Sequence, residues 1–301
     1  MESNCENLND ESLWTSDSPD MNKIKLFLEY GGDIDTKNKI LINAAAKGSY
    51  EIAKLLLLHG ADIHTEHDWA LCLAVINGHY DITKLFLEYG ANIQAVHNDV
   101  LIECIKNGSI DTLKLLLEYG MNMNENKDII LRVGVDYGHF SIVKLALENG
   151  ANVNIGYLLA PSALNGHYEI IKILLEYGAN LDRSAISLGY SLKKNHNNIA
   201  KLLLEHGADV HAHGEYALRC CARNNNIEMF KLLLQYGADV NYKNRSMVEI
   251  SARKESIDIL DFLIPEYINP DLMEEIILRG GRNYASVIKI LEKYGLKYLL
   301  K

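Results

Sequence analysis

Apolar residues along this chain do not scatter. They return in one phrase, written LFLEYGGDI, LLLLHGADI, LFLEYGANI, LLLEYGMNM, LALENGANV, ILLEYGANL, LLLEHGADV and LLLQYGADV. The shared glycines are Gly31, Gly60, Gly90, Gly120, Gly150, Gly178, Gly207 and Gly237, separated by 29, 30, 30, 30, 28, 29 and 30 residues. A period held this tightly predicts a stacked array, each unit burying its apolar face against its neighbours. Leu55, Leu56 and Leu57 and their counterparts in each copy form the apolar side of a helix, and the glycine that follows caps it.

A second phrase sits twelve residues before each glycine from Gly60 onward, centred on Gly48, Gly78, Gly108, Gly138, Gly166, Asn195 and Asn225. Only Gly and Asn occur there, the residues that enter the left-handed conformation at least cost. The position therefore predicts the C-terminal cap of one short helix before the chain reverses into the LLLL helix. That first helix carries Leu41, Leu71, Leu101, Leu131, Leu159, Leu188 and Leu218 at one position. Three residues on come the small Ala44, Ala74, Cys104, Gly134, Ser162, Ser191 and Cys221, which should let a neighbouring unit's helix approach closely. A polar stretch such as DIHTEHDW or DVHAHGEY then leads to the next unit as a projecting loop.

Together the motifs A-x-x-x-G-H, from Ala74 to His79, and L-L-x-x-G-A-D/N identify a resemblance to ankyrin repeats over roughly residues 20–301. The resemblance implies an all-α ankyrin repeat solenoid of stacked helix-turn-helix units of 28–30 residues with short loops. Those units are shorter than the family's usual 33 residues. The family's Thr-Pro-Leu-His opening is replaced, for example by Trp69, Ala70, Leu71 and Cys72, which should weaken each first helix by about 0.5–2 kcal/mol. This Asn-, Ile-, Lys- and Tyr-rich variety is similar to the ankyrin repeat proteins of giant DNA viruses of amoebae, which implies host cytoplasm or virion as its setting.

Three segments follow from the register: residues 1–19 as a flexible acidic leader, 20–241 as the repeat array, and 242–301 as degenerate repeats and a C-terminal cap. Within the last, LIPEYINPDLMEEIIL resembles the opening of an F-box, which would make the chain an adaptor recruiting a ubiquitin ligase. The retained register explains Leu263, Ile276 and Leu278 as core positions instead.

Charge and composition narrow the function. A net charge of -10 offers no basic surplus for phosphates or anionic lipid, so a protein partner is expected and neither nucleic acid nor membrane. The N-terminus lacks the positive flank and apolar core of a signal peptide, predicting a soluble, intracellular, monomeric protein. Five cysteines without a CxxC pair read as reduced thiols.

No phosphate loop, nucleophile elbow or HExxH helix interrupts the repeats, so no catalytic residue, cofactor or enzymatic activity is expected. His64 with His67, and His206, His211 and His213, lack the further ligands at motif spacing that zinc requires. Lysines six residues before the repeated glycines, mostly with Glu four residues later, read as a solvated helix face. His79, His139, His167 and His196 recur at one repeat position and are expected to bond helix-end backbone. The loops and first helices vary while the second helices barely change, which places recognition in the former. The expected contacts are His64, His67, Trp69, His97, Arg183, His211, His213, Glu215, Tyr242 and Arg245.

Overall fold

The computed structural model describes residues 21–181, 185–242, 246–267, 289 and 292–294. Among these the regular structure is entirely helical apart from one 3-10 turn at Ile93–Ala95, with seventeen α-helices and no strand. The chain forms two compact units, residues 1–152 and 153–301.

In the first unit, α1 (Met21–Glu29) precedes four helix pairs: α2 (Ile34–Lys47) with α3 (Tyr50–Leu58), α4 (Thr65–Ile76) with α5 (Tyr80–Glu88), α6 (Asn98–Lys106) with α7 (Ile110–Glu118), and α8 (Met123–Tyr137) with α9 (Phe140–Glu148). First helices stack on first helices and second on second, α2 on α4 on α6 on α8 and α1 on α3 on α5 on α7. The second unit repeats the plan with α10 (Leu159–Asn165), α11 (Tyr168–Glu176), α12 (Ser187–Lys193), α13 (Asn197–Glu205), α14 (Ala212–Asn224), α15 (Ile227–Gln235), α16 (Ser246–Arg253) and α17 (Ile257–Tyr267). There α10, α12, α14 and α16 form the row of first helices.

Within each unit the core is built from equivalent side chains of successive pairs. Leu41, Leu71, Leu101, Leu131, Leu159, Leu188 and Leu218 are all buried, as are Leu56, Phe86, Leu116, Ala146, Leu174, Leu203 and Leu233 on the second helices. Leu263 and Ile264 are buried too and extend the pattern into α17, while Ile276 and Leu278 lie outside the described residues. Truncating one such leucine to alanine costs about 2–5 kcal/mol in a close-packed interior. At Gly134 the small residue three positions after the first-helix leucine also makes room within its own pair. A Cβ on Gly134 would lie 3.2 Å from both Ile142 and Val143, so the close contact it permits is to the partner helix α9 of its own pair.

The reversal between paired helices is left-handed at each described position of the series, from Gly48 at φ 75° to Asn195 at 61° and Asn225 at 54°. The structure adds Glu255, at φ 54°, to that series. At Gly48 and Gly108 space matters as well as conformation, because an added Cβ would sit 2.8 Å from the rings of His79 and His139. Those rings place Nε2 at 3.2 Å from the Ala46 carbonyl and 2.8 Å from the Lys106 carbonyl. Each histidine thereby ties the end of the preceding first helix to the start of the next second helix.

The first helices lack the family's Thr-Pro start and use other acceptors. Asp33 accepts from the Thr36 amide at 2.8 Å, and Asn122 from the Asn124 amide at 3.0 Å. Such caps satisfy backbone donors that the helix itself leaves open. Of the expected intrahelical Lys–Glu pairs, Lys144–Glu148 forms at 3.8 Å, whereas Lys201 reaches to Glu228 in the next pair at 2.6 Å. No described helix is long and apolar enough to cross a membrane.

Candidate interaction site

The loop after each second helix opens on the Asp or Asn of the G-A-D/N phrase. Asp62, Asn92, Asp209 and Asp239 each accept the backbone N–H two residues on, at 2.9–3.0 Å, which turns the chain back toward the first-helix row. The stretch that follows is then wound into a helical turn instead of projecting as an open loop, as in α2, which begins at Ile34, and α8, which begins at Met123.

A set of polar acceptors links consecutive loops within each unit. The Asp62 amide donates to Asn38 Oδ1 at 2.7 Å, Asn92 to Asp68 at 2.9 Å, Asn152 to Asp128 at 2.9 Å, and Asn180 to Asn154 at 2.8 Å. Each rung satisfies a backbone donor of the next loop. Sequence reasoning missed these acceptors. Their signal was a polar residue 24 positions before the next loop's Asp or Asn in the first three pairs and 26 in the fourth.

Two loops depart from the rest in backbone conformation. Glu66, His67 and Asp68 have φ of 51°, 58° and 62°, and His213, Gly214 and Glu215 have 51°, 66° and 56°. A left-handed non-glycine residue costs on the order of 1–2 kcal/mol, so these turns need compensation from side chains. Both find it in a histidine–carboxylate pair spanning the turn. His64 Nδ1 lies 3.0 Å from Asp68 Oδ1, and His211 Nδ1 lies 2.6 Å from Glu215 Oε1. Both carboxylates are buried, Asp68 to 6% and Glu215 to 2% exposure, while both histidines are exposed. The bond to Glu215 raises the pKa of His211 above its ordinary value, with Asp209 and Asp239 adding to it.

The expected contact residues distribute as follows. His64, His67 and Trp69 lie together on the first left-handed turn and the helix it opens, all exposed, with Trp69 at 39%. His97 is exposed at the start of α6, its Nδ1 3.0 Å from the Ala95 carbonyl. His211 and His213 are exposed on the second turn, where the His213 carbonyl accepts from Arg219 at 3.1 Å. Glu215 is an interior group that holds His211 and presents no surface. Tyr242 is half-buried in the following loop, and an added Cβ on Gly214 would sit 2.4 Å from its hydroxyl. Arg183 and Arg245 lie outside the described residues. Sequence reasoning did not single out Arg219 or Tyr216, although Arg219 stacks 5.6 Å over the Tyr216 ring on the first-helix face.

Burial pushes the Cys72 thiol up to about 11 and the Cys104 thiol up to about 12, and it raises Cys220 and Cys221 as well. All four are free, buried thiols, the inert kind. No group of three or more His, Cys, Asp or Glu among the described residues could hold a metal ion. An open groove between α5 and α7 is lined by Tyr80, Asp111, Lys114, Leu115 and Glu118.

Comparison with known proteins agrees with the helix pairs, the left-handed caps and the stacked core. The family profile described as ankyrin repeats (3 copies) matches residues 15–97, 71–157, 157–214 and 188–274. No curated protein matches the chain. Ankyrin repeats are generally protein–protein interaction modules and typically not enzymes. With both the geometry and a profile that spans most of its length, the chain belongs to the ankyrin repeat family.

Proposed function

We propose that this chain is a non-enzymatic protein-recognition scaffold that binds a protein partner through its loop turns and the first-helix face. The observation that carries this reading is the pair of left-handed turns at Glu66–Asp68 and His213–Glu215. Backbone strain of this kind persists only where surrounding structure enforces it, and here it exposes His64, His67 and Trp69 on one turn and His211 and His213 on the other. His97, Tyr242, Arg183 and Arg245 complete the proposed contact set, and Glu215 serves it by holding His211. Residues 1–19 act as a leader, 20–241 as the recognition array and 242–301 as its cap. The protein acts as a monomer in an intracellular setting, host cytoplasm or virion, in keeping with its resemblance to the ankyrin proteins of giant amoebal viruses.

The adaptor alternative assigns the segment from Leu263 to Leu278 to ubiquitin-ligase recruitment. Burial of Leu263 and Ile264 in the α17 core favours the cap. The test is affinity purification of the full chain from cells followed by mass spectrometry, beside a His64→Ala/His67→Ala/Trp69→Ala variant. A reproducible protein partner whose recovery falls with the variant is expected. Recovery of no specific partner, or of one indifferent to every loop and first-helix substitution, overturns the scaffold reading. Ligase components that disappear on deleting residues 264–301, with the rest still folded, would favour the adaptor.

A further inference from the structure

The whole chain carries a net charge of -10, yet the first-helix face of the second unit is locally basic. Lys193 and Lys194 end α12, Arg219 and Arg223 lie on α14, and Arg253 and Lys254 end α16. These three helices stack directly on one another. The carboxylates described on these helices and the residues just past their ends are three: Glu215, buried beside His211, Glu249, paired with Arg253 at 2.6 Å, and exposed Glu255 after Lys254. The side chains of Lys193, Lys194, Arg223 and Lys254 are exposed.

Aromatic groups are built into the same face. The Tyr190 and Tyr216 rings meet edge to face at 6.4 Å, and Arg219 lies 5.6 Å over Tyr216. Gly189 makes this possible, because a Cβ there would lie 2.2 Å from the Tyr216 ring. Arg219 donates to the His213 carbonyl at 3.1 Å, while its Nε is buried without an acceptor. The cations also converge electrically. Burial raises the Cys220 thiol, but Tyr216, Arg223, Arg219 and Lys193 all pull it down.

Basic residues in a helix's last turn also complement its dipole, which is the plainest explanation for such a row. That explanation requires basic ends on first helices in general, and α4, α8 and α10 have none. At the position of Lys193 and Arg223, the first unit carries Ala46, followed by Lys47, then Ile76, Lys106 and Asp136, and Lys106 is neutralised by Glu103 at 2.6 Å. The basic row is a local property of the second unit.

We propose that the face formed by α12, α14 and α16 binds an acidic segment of a partner protein, its carboxylates meeting Lys193, Arg219 and Arg223 and its apolar part lying on Tyr190 and Tyr216. This deepens the scaffold reading and rests on it. Arg favours carboxylates through its planar fork of donors, and stacking on tyrosine pre-organises that fork. Single-stranded nucleic acid uses a similar combination of cations and rings, but the acidic balance of the whole chain opposes polyanions that extend beyond the patch.

Fluorescence anisotropy with the full chain tests this. The probes are a labelled Glu/Asp/Tyr peptide, its Gln/Asn/Tyr counterpart and oligo(dT), each at low and high salt. The acidic peptide is expected to bind, to weaken with salt, and to weaken about tenfold or more in Arg219→Glu/Arg223→Glu. Lys193→Glu/Lys194→Glu, which changes only exposed side chains, supplies the same comparison should the arginine variant unfold. Equal binding of the neutral peptide, indifference to both charge reversals, or tighter binding of oligo(dT) overturns the proposal. A cellular partner recovered independently of these residues, with the acidic peptide inactive, removes this inference while leaving the scaffold reading intact.

Discussion

The turns at Glu66–Asp68 and His213–Glu215 occupy the same place in two units and solve the same problem with different parts. In the first, Asp68 accepts from both His64 and the next loop's Asn92 amide through one oxygen. In the second, Glu215 spends Oε1 on His211 and leaves Oε2 buried with no partner. The centre of the first turn is His67, at φ 58°, and the centre of the second is Gly214, at 66°, beneath Tyr242. The loop position of Tyr242 is held in the first unit by Ala95. One turn therefore relies on hydrogen bonding and tolerates a strained side chain. The other removes the side chain and covers the gap with a ring.

The contrast can be broken most severely at the doubly used carboxylate. Asp68→Ala should cost about 2–3 kcal/mol, since it removes the acceptor of both the Asn92 amide and His64 and frees a strained turn, and urea denaturation would show it. If Asp68→Ala costs no more than Glu215→Ala, the rung to Asn92 carries no weight.

Gly214→Ala is expected to cost about 1–2 kcal/mol from the left-handed backbone, plus displacement of Tyr242. Adding Tyr242→Ala should recover part of the loss. No recovery in that double variant would assign the whole effect to backbone conformation. Glu215→Ala should cost about 1 kcal/mol, because the lost bond to His211 is offset by removing an unsatisfied buried oxygen.

The converse exchange, His67→Gly, should stabilise by about 0.5–1 kcal/mol, relief of strain exceeding the added freedom of the unfolded chain. A loss of stability in thermal melts would mean that the His67 side chain is held by contacts of its own.

The smallest effect is in pH. Because Glu215 raises the folded-state pKa of His211, the stabilisation from their bond is fully present below the unfolded value of about 6.5 and fades as pH rises through the folded one. His211 is exposed, so solvent screens the effect. The melting difference between the native chain and His211→Ala should be larger at mildly acid than at alkaline pH. The reverse trend would show that the bond does not favour the protonated ring.

Much of the fold was legible because it repeats. Helix pairs, their order and the cap positions followed from the spacing of Leu, Gly and Asn, and the recurring histidines at 79 and 139 were correctly placed on helix-end carbonyls. Glu255 was not legible as a cap, since nothing local marks an acid for a left-handed position. There the stacked register imposes the conformation: the Ser256 amide donates to the Ser251 carbonyl and its hydroxyl to the Ala222 carbonyl. The proposed contact loops were chosen for their variability, and of the residues chosen Glu215 looked like an exposed loop acid and proved an interior one.

By itself the sequence determined the array, because a period of hydrophobic and left-handed positions can be read without knowing what packs on what. Only the tertiary structure decided which loop acids face inward, where three consecutive residues turn left-handed, and that basic and aromatic residues from α12, α14 and α16 share one face. Those outcomes depend on side chains from different units meeting across the stack. A carboxylate becomes a rung or a surface charge according to whether the neighbouring loop brings a donor within reach.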